Sequence, residues 1–143
     1  MTFLAPSYKV LAHNDTRNAK GHQAGPLIPK AIESYLPSLP ATTSASKPTV
    51  SVQIDAELWV GTTHVGDVET RYQHQTWHGT RSPERRITGN LGQLLGHAKK
   101  DDLLVIERDD AIDTKYRLTL HKAGTAAHHS VVSTHPGKRW GLL

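Results

Sequence analysis

Apolar residues recur at every second position along much of this chain. Val50, Val52 and Ile54 alternate with Ser51, Gln53 and Asp55, and Leu58-Trp59-Val60 follows before Gly61, a pattern that predicts a strand. Val68, Thr70, Tyr72, His74 and Thr76 form one side of a further strand, with Glu69, Arg71, Gln73, Gln75 and Trp77 on the other. Tyr116, Leu118 and Leu120 alternate with Arg117, Thr119 and His121, while Leu103, Leu104, Val105 and Ile106 form the continuous apolar run of a buried strand. Near the start, Tyr8, Val10 and Ala12 alternate with Lys9 and Leu11 before a polar segment, 13–20, that is expected to be exposed. Val131-Val132 is read as a last strand.

Helical spacing is brief. Ala31, Ile32, Tyr35 and Leu36 share one helical face between Pro29 and Pro37, and Leu91, Leu94 and Leu95 make about one turn among three glycines. Leu27-Ile28, between Pro26 and Pro29, is read as a short extended piece, and 38–48 as a surface connection. Many short strands, one or two short helices and long polar excursions predict a single mainly β domain, an open barrel or a sandwich, which periodicity does not separate.

Composition narrows the class. The 143 residues suit one domain and contain no cysteine, which excludes disulfides and thiolate metal sites. No apolar run approaches the roughly 20 residues needed to span a bilayer, and the start does not read as a secretory signal. The formal charge is +4, but Asp101, Asp102, Glu107, Asp109, Asp110 and Asp113 crowd into 101–113. Outside that stretch 16 basic residues face 7 acidic ones, a surplus suited to a polyanion.

Two polar excursions carry the candidate chemistry. The first holds Asn14, Thr16, Arg17, Asn18, Lys20, His22 and Gln23; the second holds Trp77, His78, Thr80, Arg81, Ser82, Glu84, Arg85 and Arg86. Arg pairs with guanine, Asn or Gln with adenine, and Glu accepts from cytosine, whereas Thr, Ser and Lys suit phosphates. Arg81 and Arg86 are the first choices for guanine, and Asn18 or Gln23 suits adenine. Glu84 either reads cytosine or buttresses an arginine. Lys9, Lys20, Lys30, Arg71 and Arg85 are the phosphate candidates, and His22 and His78 serve as neutral hydrogen-bonding groups.

The segment Tyr8-Lys9-Val10-Leu11-Ala12-His13-Asn14-Asp15-Thr16, then Gly21-His22-Gln23-Ala24-Gly25 and Ile28-Pro29, resembles the amino-terminal domain of EcoRII-type restriction endonucleases. Gly79-Thr80-Arg81, Glu84 and Arg86-Ile87-Thr88 follow in the same order as in that domain. The resemblance covers roughly the first two thirds of the chain. It implies a DNA-binding pseudobarrel, shared with plant "B-three" domains, in which arms 14–23 and 77–86 grip the major groove like a wrench. It also implies double-stranded DNA as partner, a CC(A/T)GG-like site, and service as the effector domain of a nuclease domain in the same bacterial, cytoplasmic polypeptide. On this reading the chain is an excised, monomeric, non-catalytic module without cofactor or metal. Arg17-Asn18-Ala19-Lys20 and Ser82-Pro83 depart from the family pattern, at positions that set which bases are read.

Two rival classes need other features. A small metal-dependent phosphodiesterase would use clustered acids, and Asp55 with Glu57, or Glu107 with Asp109 and Asp110, are its candidates. Neither group is followed two residues later by a Lys, and no His-Glu-x-x-His, Gly-x-Ser-x-Gly or phosphate loop occurs. His74 with His78, and His128-His129, lack the helical spacing or acidic neighbours of a zinc site. An interaction module for an acidic protein is the second rival.

Overall fold

The computed structural model describes residues 2–16, 25–39, 49–76 and 83–143, and of Asn14 the backbone alone. Seven strands form one curled sheet, a half-barrel. In chain order they are β1 (Ser7–Val10), β2 (Thr49–Val60), β3 (Thr63–Gln75), β4 (Glu84–Thr88), β5 (Leu103–Arg108), β6 (Lys115–His121) and β7 (Trp140–Leu142). Across the sheet the order is β4-β3-β2-β6-β5-β1-β7. All pairings are antiparallel except β2 with β6, which run parallel. The architecture is therefore the open-barrel alternative.

β2 and β3 form a long hairpin because the period-two pattern of β2 runs on to Gly61, whose φ of +59° lets the chain reverse, with one shift of register between Leu58 and Trp59. Ile54, Ala56 and Leu58 point inward from β2 and Tyr72 from β3, meeting Leu104, Ile106, Leu118 and Leu120 in the main core. Two short helical pieces close over it: a 3-10 helix at Lys30–Tyr35, buried through Ile32 and Tyr35, and α1 (Gly92–Leu95), buried through Leu94 and Leu95. Tyr35 also anchors the sheet, since its hydroxyl accepts from the Arg108 amide at 2.9 Å and its carbonyl accepts from the Tyr116 hydroxyl at 3.1 Å.

Three expectations need correction. Val131-Val132 lies in α2 (Ala126–Thr134), not in a strand; the Thr125 side chain caps the helix by accepting from the His128 amide. The two valines pack beside Tyr8, Val10 and Leu103 in a small second core. β1 is accordingly buried along its whole length, Lys9 included, rather than on alternate residues. The polar segment after it is not wholly exposed either: His13–Asp15 is a turn of 3-10 helix in which Asp15 is 1% exposed.

The acidic stretch is partly spent on local structure. The Asp102 carboxylate accepts from the Lys99 and Ala123 amides, at 2.9 and 2.8 Å, and pairs with Lys122. Burial alone would push this carboxyl up, but the Lys122 ammonium and the two amides outweigh it and hold it below its ordinary value. Asp109, held by the amides of Ala111 and Ile112, is lowered as well. A depressed folded-state value means stability present above the unfolded carboxylate range and lost as pH falls through it. The urea midpoint is expected to fall steeply below about pH 4 as these carboxylates protonate, with Asp102→Asn removing part of that fall.

Candidate nucleic-acid interface

Hydrogen bonds hold the bases of the two polar excursions side by side. The first leaves β1 through the Asp15 turn and returns at Gly25-Pro26-Leu27; the second leaves β3 at Gln75 and returns at Pro83 into β4. The Ile28 amide donates to the Arg85 carbonyl at 2.7 Å, and the Ile87 amide to the Pro26 carbonyl at 3.2 Å. Leu27 pairs with Arg86 as an antiparallel bridge. The returning limb of the first excursion thus lies as a short extra strand along the edge of β4.

Asp15 is the brace of the first stem. Its carboxylate accepts from the Lys9 ammonium at 2.8 Å and from the Ala12 and Leu27 amides, each at 2.8 Å. Ala12 precedes the excursion and Leu27 follows it, so a single side chain fastens both limbs. Lys9 adds a bond of 2.6 Å to the Leu27 carbonyl. Burial pulls the Lys9 ammonium below its ordinary value, and Asp15 works against that shift.

Gly25 lets the stems meet. Its φ is +148°, and a Cβ there would come within 2.1 Å of the Ile87 carbonyl oxygen. Arg86 completes the clasp: one guanidinium nitrogen donates to the Gly25 carbonyl at 2.7 Å, and another meets Glu84 at 3.2 Å.

These contacts revise the roles read from sequence. Glu84, Arg85 and Arg86 belong to β4, paired with Gln75, His74 and Gln73, because alternating charged residues can lie on both faces of an edge strand. Strand alternation turns Arg85 to the side of His74 and Tyr72, and Arg86 to the side of Glu84 and Gln73. Glu84 buttresses Arg86, whose side chain is only 11% exposed. Lys9 faces inward rather than toward a phosphate, and the Thr16 hydroxyl is buried on the His13 carbonyl. Lys30 and Arg71 are exposed, with Arg71 reaching Gln73 at 3.4 Å. Arg17, Asn18, Lys20, His22, Gln23, Trp77, His78, Thr80, Arg81 and Ser82 lie outside the described residues.

The acids considered for a nuclease sit elsewhere. In the β2–β3 ladder Asp55 faces Glu69 and Glu57 faces Asp67. Among the described residues no group of three or more His, Asp or Glu is arranged to hold a metal. Likewise, no helix among them is long and apolar enough to cross a membrane. In comparisons with known proteins, no family model matches this chain and no curated protein matches it significantly.

Proposed function

We propose that this chain is a sequence-specific duplex-DNA-binding module whose two arms, rising from the joined stems, enter one major groove. The reading includes its service as the effector domain of an EcoRII-type restriction endonuclease, with cutting done by a nuclease domain of the same polypeptide. The observation that supports it most is the clasp of Asp15, Gly25 and Arg86. It joins the points at which two segments rich in base-reading side chains leave and rejoin the sheet, as insertion of two elements into one groove requires. Exposed Lys30 and Arg71 are suited to flanking phosphates.

Selection from a random duplex pool tests the reading. A single short motif should emerge and be preferred over scrambled duplex by roughly 10³-fold or more at moderate salt. Equal binding of all duplexes, or binding of none, would end the proposal. Plasmid cutting in Mg²⁺ that is lost on substitution of Asp55 or Glu57 would favour the phosphodiesterase instead.

A further inference from the structure

Between the two stems lies a cavity of about 560 Å³. Leu27 and Pro29 give it apolar walls, and Trp140, on the neighbouring β7, contributes an indole that is 46% exposed. Its polar lining is His74, Arg85, Glu33, Glu84, Lys30 and the buried Lys9. Arg85 is pinned by a 3.1 Å bond to the Tyr72 hydroxyl and meets Glu33 at 3.4 Å. A guanidinium has five N–H donors and a carboxylate several lone pairs, so both retain capacity for a ligand. Burial, with Arg85 nearby, pushes His74 below its ordinary value, only partly offset by Glu33, so its imidazole is neutral at pH 7.

An aromatic plate, apolar walls, and an acceptor and a donor side by side fit a planar heterocycle, and the exposed Lys30 in the same lining suits the phosphate that accompanies it. Leu27 and Ile28 of the first stem and Pro83 and Arg85 of the second line the cavity together, so the proposed function sets it beside the bound duplex. Another hollow, of about 400 Å³, is lined by Asp55, Glu57, Asp67 and Glu69, carboxylates unfavourable to any nucleic acid. Resting on the duplex-binding reading, we infer that the cavity between the stems receives one base turned out of the bound duplex. Trp140 stacks on that base, and Glu33 with Arg85 bonds its Watson–Crick edge. Capture of this kind adds discrimination, because a base leaves the stack most easily where its pairing is weak.

Affinity for duplexes lacking one base tests this in the full chain. In the selected duplex, each base is removed in turn to leave an abasic position. Where the missing base is the partner of the captured one, extrusion no longer breaks a pair, and binding should tighten by about tenfold. At other positions it should be unchanged or weaker. Trp140→Ala should abolish that gain. Glu33→Gln, a near-isosteric change on a short helix, should shrink it, which guards against a Trp140 variant that fails to fold. Sequence-preferring binding with no such position overturns the inference alone, whereas absence of any sequence preference overturns the duplex-binding reading with it.

Discussion

Replacing Asp15 with alanine is expected to lower stability by about 3–5 kcal/mol, the cost of leaving a buried cation without its partner. Asp15 is 1% exposed and the Lys9 side chain 7%, so water cannot take over the lost contact. The change also frees the Ala12 and Leu27 amides that the carboxylate holds. Lys9→Met should cost less, about 1–3 kcal/mol, because Asp15 keeps both amide donors. Urea unfolding of the two variants measures the difference. Equal costs would mean that the ion pair, not the fastening of the two limbs, is what matters; a cost below about 1 kcal/mol for Asp15→Ala would remove the brace from the account.

The second large effect concerns DNA and separates positioning from reading. Arg86, steadied by Glu84 on its own strand, joins the stems through Gly25, so Arg86→Ala should loosen both arms together. Affinity for the best duplex should fall by tenfold or more, with preference eroded at every base pair. Arg86→Lys keeps the charge but not the planar fork, and should recover only part of the loss. Arg81→Ala, by contrast, should relax one position, by about 1–3 kcal/mol. Repeating the duplex selection with each variant gives the profile. A change confined to one base pair in Arg86→Ala would make Arg86 a reader after all.

Much of the framework was legible because burial on one face imposes a period. Strands β2, β3, β5 and β6, the turn at α1 and the helical face of Ile32 and Tyr35 all follow from apolar spacing. Type and extent were less legible. Val131-Val132 resembles a strand by composition, yet Thr125 as a cap and the alanines after it favour a helix, and neighbouring β1 supplies the surface that covers it. β7 is three residues long, too short for any period to appear. β4 begins among charges because its side chains are neutralised in place, Arg86 by Glu84 and Arg85 by Glu33.

Of the candidate site, sequence offers a pair of segments but not the contacts that join their stems. Spacing and resemblance single out 14–23 and 77–86, but no linear pattern shows that Asp15 serves Lys9 and Leu27, or that Arg86 reaches Gly25 across 61 positions. The signal available was local: an acid five residues after the end of β1, and glycines at the limb's return. Trp140, Glu33 and His74, from distant parts of the chain, converge only in three dimensions.

β1 is flanked by β5 and β7, so this strand is held by partners roughly 100 and 130 residues further on. Its register, which sets where Lys9 and Asp15 stand, cannot form before β5 and β7 exist, and such distant pairing closes slowly. The Lys9–Asp15 brace is therefore set late in folding, after the β2–β3 hairpin, whose strands are neighbours along the chain, has had time to close.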